Sequence, residues 1–405
     1  MRASDLAQPI GAGLVGAVTG FASSFALVVA GLQAVGATPA EAASGLLALC
    51  VLQALLAIGF GLRYRMPLSF AWSTPGAALL VAAQATTGDY RAAVGAFLLC
   101  GVLLVVTGLW PALARAMTRI PKPIASAMLA GILFPICLAP VLAAVELPAL
   151  ALPVVGVWLV LARLAPRWAV AGAVVTTVVV VIVSGEGADL ATASLWPVVT
   201  VTWPSLDPAV LVSIGLPLYV VTMAGQNVPG FAVLTTFGYP RPPARAILAG
   251  TGAATVVGSV FGGYALNLAA ITAALMAGPD AHPDRERRWI ASVAGGAAYL
   301  VIGLGAGAAA VLVGVTPPLL ITAVAGLALF GAFATAATAA LEEPATRVVA
   351  VVTFLVVASG VSIAGIGSAF WGLVVGGLVM IVLGWRPRRR SRVTPGADPA
   401  PTRAR

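Results

Sequence analysis

The residues of this sequence that could do chemistry are uncharged polar side chains placed inside long apolar stretches. Ser73-Thr74-Pro75-Gly76 lies within residues 66–88, a stretch without ionisable side chains and about as long as one bilayer-spanning helix. A hydroxyl N-cap followed by proline at the first helical position is typical of a helix start. A helix that begins inside a membrane has backbone N–H groups without helical partners, and such groups stabilise an anion.

A second apolar stretch carries a similar interruption. Residues 261–272 begin with Phe261-Gly262-Gly263, and a short extended run then leads to Asn267, which we predict to be the N-cap of a second half-helix. Paired interrupted segments point to the binding site of secondary transporters. We therefore predict one site between the two half-helix ends. Its candidate residues from these two stretches are Trp72, Ser73, Thr74, Gly76, Tyr264, Asn267 and Leu268.

Further polar candidates lie in two other apolar segments. The chain has only two asparagines, Asn227 and Asn267, and Gln226 adjoins the first of them. Pro229 is predicted to kink or end this helix and to free carbonyl groups nearby. In the first segment, Ser23 and Ser24 occupy the corresponding place. Each of these side chains either contacts a ligand or has a structural role. In the structural role it forms a hydrogen bond to a neighbouring helix or caps its own backbone. Trp72 and Tyr264 either stack on a ring-bearing ligand or belong to the core.

The elements that position these residues follow from composition. The chain has 405 residues, of which 60% are hydrophobic and only 9% charged, and its mean hydropathy is +1.06. Soluble domains carry about 25% charged residues, so this is an integral membrane protein. Dividing the charge-free stretches at turn signals such as Gly262-Gly263, Thr316-Pro317-Pro318 and residues 365–367 predicts about 14 transmembrane segments in an all-α polytopic fold.

The basic residues predict the topology. If the N-terminus is cytoplasmic and each segment crosses once, only Arg91 of the 22 lysines and arginines lies outside. This is the positive-inside pattern, and it predicts that both termini are cytoplasmic. The net charge of +9 therefore gives no indication of nucleic-acid binding. Residues 387–405 are predicted to be a disordered basic tail near anionic headgroups.

The segments divide into two halves of seven. We assign residues 1–186 to segments 1–7, residues 187–206 to an external connector, and residues 207–386 to segments 8–14. An odd number of segments per half means that an internal duplication would be inverted in the membrane, an arrangement common among secondary transporters.

The residues that catalysis, a cofactor or a metal would need are missing from the apolar segments. All 13 aspartates and glutamates lie in predicted loops or at segment ends, and the one histidine, His282, lies in a predicted loop. The sequence has no phosphate-binding loop, nucleophile elbow or metal-spaced cluster. A proton would have to travel on the carboxyl group of a substrate, or through a segment-end acid such as Glu41.

Four stretches resemble the benzoate/proton symporter (BenE) family. They are residues 63–80 (RYRMPLSFAWSTPGAALL), residues 215–234 (GLPLYVVTMAGQNVPGFAVL), residues 267–284 (NLAAITAALMAGPDAHPD) and, more loosely, residues 346–360 (TRVVAVVTFLVVASG). The resemblance implies uptake of benzoate with protons across a bacterial inner membrane. It also implies the seven-plus-seven inverted-repeat fold of uracil permeases and sulfate-type anion carriers.

In that fold, segments 3 and 10 each consist of a short strand and a half-helix. A core of segments 1–4 and 8–11 moves against a gate of segments 5–7 and 12–14. Gly225 stands where we would expect serine or alanine. Gln226, Asn227 and Asn267 stand where uracil-permease relatives carry acids in segments 8 and 10, and this favours an anion over a nucleobase.

We therefore expect a secondary transporter that imports benzoate or a related aromatic carboxylate with protons, without a cofactor or a metal. A homodimer is one of the assemblies we consider. A carrier or exchanger of another small organic or inorganic anion and a passive anion channel remain alternatives. A membrane-embedded enzyme is disfavoured, since no catalytic group is visible.

Overall fold

The fold comes from a computed structural model that describes residues 3–83, 89–110, 112–113, 121–185, 196–269 and 271–383. Apolar runs of helical length form most of it. The helices are α1 Ala3–Ala34, α2 Pro39–Tyr64, α3 Thr74–Ala82, α4 Tyr90–Leu109, α5 Lys122–Glu146, α6 Pro148–Leu164, α7 Ala169–Val183, α8 Pro208–Thr236, α9 Ala244–Ser259, α10 Ile271–Ala277, α11 Trp289–Gly303, α12 Ala306–Val315, α13 Pro318–Leu341, α14 Arg347–Ala358 and α15 Ser368–Val382. The strands are β1 Phe70–Trp72 and β2 Leu266–Leu268.

The predicted all-α polytopic class is confirmed. Within the described ranges, six helices are long and apolar enough to cross a membrane, namely α1, α2, α4, α5, α8 and α13. Helices α11 and α12, bent by 56° against each other, form either one broken span or a re-entrant loop, and four shorter apolar helices have 10–17 residues. The count of about 14 crossings, their orientation and the inverted duplication remain predictions.

The predicted turn signals separate helices. Helix α9 ends before Gly262, which has a φ of 87°. Helix α12 ends before Pro317, which has no N–H to continue the helical hydrogen bonds. Helix α14 ends well before Gly365, whose φ is 76°. Both glycines adopt the left-handed conformation that other residues avoid.

Helix α8 rules out one of the two alternatives predicted for Pro229, that it ends the helix. The helix neither ends nor breaks there but continues to Thr236. A wide π turn over Met223–Asn227 directly precedes the proline. This turn lies where proline has no N–H to donate to the carbonyls behind it, and π turns are frequent at functional sites.

The helices pack in two groups, and the first includes α2, which packs on β1, and α9, which packs on β2. Helices α1 and α2 both pack on α11, and α4 packs on α9 at backbone distance: a Cβ added at Gly252 would lie 2.5 Å from the Val105 nitrogen, so these helices need a small residue at the crossing. Helix α5 packs on α13 and α14, and α6 packs on α7. The assignment of these groups to a core and a gate, like the predicted domain boundaries, remains a prediction. Residues 196–206 of the connector are non-helical. Residues 187–195 and the predicted tail 387–405 lie outside the described residues.

Candidate functional site

The two interrupted segments meet in an antiparallel two-stranded ladder. Ala71 of β1 lies opposite Asn267 of β2, between the pairs Phe70–Leu268 and Trp72–Leu266. Two more backbone bonds of 2.8 Å extend the ladder at its ends, from Ser73 N–H to the Ala265 carbonyl and from Ala269 N–H to the Ser69 carbonyl. Helix α3 starts beyond one end of the ladder, and α10 starts beyond the other.

Side chains from neighbouring helices satisfy the outer edge of β2. Leu266 N–H donates to Thr255 Oγ1 at 3.0 Å, and Leu268 N–H donates to Asn227 Oδ1 at 3.0 Å. A membrane interior has no water to satisfy such groups, so non-helical backbone persists there only when protein groups satisfy it. Asn227 therefore holds the ladder through its oxygen. Its Nδ2 contacts only the Met223 sulfur, at 3.5 Å, a weak acceptor.

The start of α3 is almost fully satisfied. The helix begins at Thr74, so Ser73 is its N-cap and Pro75 stands at the second position, one residue away from the predicted arrangement. Ser73 Oγ accepts from Gly76 N–H at 3.1 Å and from Thr222 Oγ1 at 2.8 Å. Pro75 has no N–H, and the Thr74 N–H is the first-turn amide for which the described residues provide no partner. The predicted bare helix end is reduced to one free amide.

Tyr264 and Gly76 support this helix start. The Tyr264 hydroxyl donates to the Ser73 carbonyl at 3.1 Å, and the side chain is fully buried. A Cβ added at Gly76 would lie 2.5 Å from Leu218 Cδ1, so the glycine permits the close approach of α3 to α8. Both predicted site residues act here through packing and backbone contacts.

The prediction that Asn267 is an N-cap is wrong. Asn267 lies within β2, and α10 begins only at Ile271, because pairing with β1 holds the backbone of Asn267 and Leu268 extended. Asn267 Nδ2 donates to the Leu268 carbonyl at 3.1 Å. The acceptor fixes which way the amide points. Asn267 Oδ1 then has no partner among the described residues, although the side chain is fully buried. A buried acceptor left unpaired costs about 1–3 kcal/mol.

Trp72 and Ser24 join the ladder to α1, whereas the Ser23 hydroxyl bonds within α1. The Trp72 indole N–H donates to Ser24 Oγ at 2.9 Å, and its ring meets Phe21 and Tyr299 edge-on at 6.0 and 6.1 Å. Trp72 and Ser24 are buried. Ser23 Oγ donates to a carbonyl of its own helix at 2.9 Å but stays partly exposed. Trp72 and Ser24 thus form the interhelical bond that the sequence left as one interpretation.

A set of six partly exposed residues lies in the ladder and in the elements that pack on it or on α3. We call it the ladder window. It consists of the partly exposed residues Phe21, Ser23, Ala71, Thr74, Gly225 and Gln226. The side chains of directly opposed residues share one face of a sheet, so the Asn267 side chain lies on the face of Ala71. A Cβ added at Gly225 would lie 3.4 Å from Pro75 and 3.5 Å from Leu129, which places α8, α3 and α5 around the window.

A cavity of about 370 Å³ lies at the other end of α3. It is lined by residues of α3, α5, α8 and α13 and by the segment from α14 to α15, among them Leu79, Ala82, Ile132, Ser213, Ser359 and Ser362. None of the predicted site residues lines it. Its hydroxyl groups donate to nearby backbone carbonyls, as Ser213 does to Ala209. The predicted topology places this cavity on the external side.

The ladder and the helices that begin beside it are built from uncharged residues. No Asp, Glu, His, Lys or Arg lies in β1, α3, β2, α10 or residues 209–236. Glu41, the predicted proton-coupling acid, closes a capping box at the start of α2: one carboxylate oxygen accepts from the Thr38 N–H and hydroxyl, and the other accepts from Thr202 Oγ1 at 3.1 Å.

Sequence reasoning missed the threonines that complete the ladder. Thr222 and Thr255 supply the bonds described above, and Thr272 pairs with Ser69 at 2.8 Å. Threonines inside helices commonly hydrogen-bond to their own backbone, so nothing in their local sequence distinguishes these three.

Comparisons with known proteins agree with this architecture. Residues 5–382 match the family model "BenE: Benzoate membrane transport protein". The chain is 39% identical over 375 residues to the inner membrane protein YdcO of Escherichia coli K12, covering 92% of this chain and 95% of that protein. It is 32% identical over 341 residues to the benzoate membrane transport protein of Acinetobacter baylyi, covering 82% and 83% respectively.

Two solved structures share the fold. The transmembrane domain of the cyanobacterial bicarbonate transporter BicA aligns with a TM-score of 0.53 at 17% identity, covering 93% of this chain and 97% of that one. SLC26A9 aligns with a TM-score of 0.59 at 12% identity, covering 92% and 65%. With a family model that matches nearly the whole chain, this polytopic membrane protein, a transporter and not an enzyme, belongs to the BenE family of benzoate membrane transport proteins.

Proposed function

We propose that this chain imports benzoate or a closely related aromatic carboxylate, together with protons, across the bacterial inner membrane. The observation that carries the proposal is the ladder window, a set of partly exposed residues beside two otherwise buried strands where the interrupted segments meet. The name of the 32% identical relative from Acinetobacter baylyi supports the choice of substrate class.

The carboxyl group would bind between Thr74 and Asn267. Donors there are the free Thr74 N–H, the Thr74 hydroxyl and Asn227 Nδ2, with Gln226 at the edge of the window. The ring would lie against Phe21, which is partly exposed and already stacks on Phe25 at 5.0 Å. A few polar groups in an otherwise apolar wall are typical of small-molecule sites.

Access would come from the cavity at the far end of α3. Cavities of about 300–1,000 Å³ are typical for small ligands, and the cavity of about 370 Å³ lies between helices assigned to the core and to the gate. Movement of α3 and α8 against α5 would connect the cavity with the ladder window. The proposal also includes termini on the cytoplasmic side, which the distribution of arginines supports. A homodimeric assembly is a prediction only.

Uptake of labelled benzoate into proteoliposomes tests the function. We expect saturable uptake that is driven by an inside-alkaline pH gradient, exceeds the diffusion of benzoic acid into protein-free liposomes, and acidifies the interior. Flux that stays linear with concentration would indicate a channel. Saturable uptake of an inorganic anion, without saturable benzoate uptake, would indicate a different anion carrier. Benzoate flux equal to that of empty liposomes contradicts the proposal.

A further inference from the structure

We infer that the ladder window binds its substrate as the neutral carboxylic acid, with Asn267 Oδ1 accepting the hydrogen bond of the acid O–H, so that the coupled proton is carried on the substrate itself. This inference rests on the proposed function, and it names the protonation state that the site selects.

The first observation is the unpaired acceptor. Asn267 is fully buried, its Nδ2 is engaged by the Leu268 carbonyl at 3.1 Å, and its Oδ1 has no partner in the described structure. An amide oxygen can only accept a hydrogen bond. A carboxylate also only accepts, so the two oxygens would repel each other. A carboxylic acid supplies the missing donor.

The second observation is the shortage of positive charge. The Ser73 cap and Pro75 leave one free amide at the start of α3, and no basic residue lies in β1, α3, β2, α10 or residues 209–236. A desolvated carboxylate is stabilised by several donors or by a cation. The acid needs only one donor for its carbonyl oxygen, which the Thr74 N–H or Asn227 Nδ2 can provide.

The third observation is the lack of another proton carrier at the site. No titratable acid or histidine lies in β1, α3, β2, α10 or residues 209–236, and the carboxylate oxygens of Glu41 are held by Thr38 and Thr202. A proton that binds with the substrate therefore has one location, the substrate carboxyl oxygen. It comes from water on one side of the membrane and returns to water on the other.

Binding to the purified full-length chain in detergent tests the inference without the complication of bilayer diffusion. The probes are labelled benzoate, benzamide and benzenesulfonate. Benzamide resembles the neutral acid, since it has one donor group and one carbonyl oxygen, whereas benzenesulfonate stays anionic at every pH used. A carboxyl group with an ordinary pKa near ~4 loses about tenfold of its neutral form per pH unit above pH 5.

We expect the Kd of benzoate to rise about tenfold per pH unit between pH 6 and 8, with about one proton taken up per benzoate bound. Benzamide should compete with a Kd that does not change with pH and without proton uptake, and benzenesulfonate should not compete. Asn267→Val should weaken benzoate and benzamide at least tenfold. The matched control is Ser292→Ala, which removes another buried and unpaired polar atom and should change neither Kd.

The outcomes separate the inference from the function. Benzoate affinity that is independent of pH, with competition by benzenesulfonate and none by benzamide, overturns the inference while leaving carboxylate transport intact. Wild-type protein that binds neither benzoate nor benzamide at any pH contradicts the proposed function itself. If Asn267→Val does not fold, the wild-type pH series and competition profile still decide.

Discussion

The two strand–helix units of this protein occupy corresponding positions in the predicted halves, yet they differ in how their polar groups are satisfied. In the first unit, Ser73 accepts from Gly76 and Thr222, and Tyr264 donates to its carbonyl. In the second unit, the fully buried Asn267 keeps an unpaired oxygen. The first unit is therefore built for stability, and the second keeps one hydrogen-bonding position open.

This difference teaches where binding energy can come from. A cap that is satisfied by protein has little left to give a ligand. An acceptor that is unpaired in the free protein gains about as much as its burial costs, about 1–3 kcal/mol, when a donor arrives. We therefore expect substitutions of the cap residue Ser73 to act on folding and those at Asn267 to act on transport.

The largest effect on transport is expected for Asn267→Val. Saturable benzoate uptake should fall at least tenfold per folded protein, since one charged-group or acid hydrogen bond contributes about 1.5–3 kcal/mol. The unfolding temperature should not fall, because the lost bond to the Leu268 carbonyl is offset by removal of the unpaired oxygen. A lower unfolding temperature with normal uptake per folded protein would reverse the comparison.

The largest effect on stability is expected for Ser73→Ala. Loss of an N-cap costs about 1–2 kcal/mol, and Thr222 loses its acceptor as well. The double variant Ser73→Ala/Thr222→Val should be less destabilised than the sum of the single variants, because it leaves no unpaired hydroxyl. Thermal unfolding of the three variants measures this coupling. Uptake per folded protein that falls as far as in Asn267→Val would show that the cap contacts the substrate.

A smaller effect is expected for Gly76→Ala. The added methyl group meets Leu218 Cδ1 at 2.5 Å. Because this atom is the end of a flexible side chain that can move, the overpacking should cost about 1 kcal/mol, the low end of the usual range. Adding Leu218→Ala should recover part of the stability. Gly377→Ala is the matched control, because nothing lies within 4 Å of its added carbon. Equal unfolding temperatures for Gly76→Ala and Gly377→Ala would show that α3 and α8 do not approach this closely.

Glu41→Gln should have a still smaller effect on stability and no effect on proton coupling. The carboxylate belongs to a capping box, so the substitution should lower stability by about 1 kcal/mol or less. The pH dependence of benzoate uptake should remain that of the wild type. If benzoate uptake by this variant no longer depended on pH, Glu41 rather than the substrate would carry the coupled proton.

The smallest effect is expected far from both units, at the ion pair of Lys122 and Glu342. The hydrogen bond and the charge of Lys122 lower the pKa of Glu342. A lowered folded-state pKa means that the contribution is present above the ordinary pKa and is lost as the pH falls through the folded value. The pair is solvent-exposed, so Glu342→Gln should leave the unfolding temperature within error at pH 7. A clear decrease would indicate that this pair restrains α5 against α13.

Much of the fold was readable from the sequence because its signals are local. Charge-free stretches define the apolar segments. Pro75, Gly262 and Pro317 interrupt these segments through their own backbone properties, whatever residues surround them. The state of Asn267 was not readable, since it depends on pairing with Ala71, nearly 200 residues earlier. The partners Thr222 and Thr255 were hidden for the same reason: only the packing of α8 and α9 on the ladder gives their hydroxyl groups a second role.

The most direct test of the account is protection of a single cysteine in the ladder window. Ala71→Cys would be placed in a background in which Cys50, Cys100 and Cys137 are alanine, and labelled with a small methanethiosulfonate with and without benzoate. We predict that benzoate protects this cysteine, with half-protection at the Kd measured by binding, and that Ser362→Cys in the outer cavity labels equally in both conditions. Protection of Ser362→Cys alone, or none at Ala71→Cys under saturating benzoate, would contradict a binding site at the ladder.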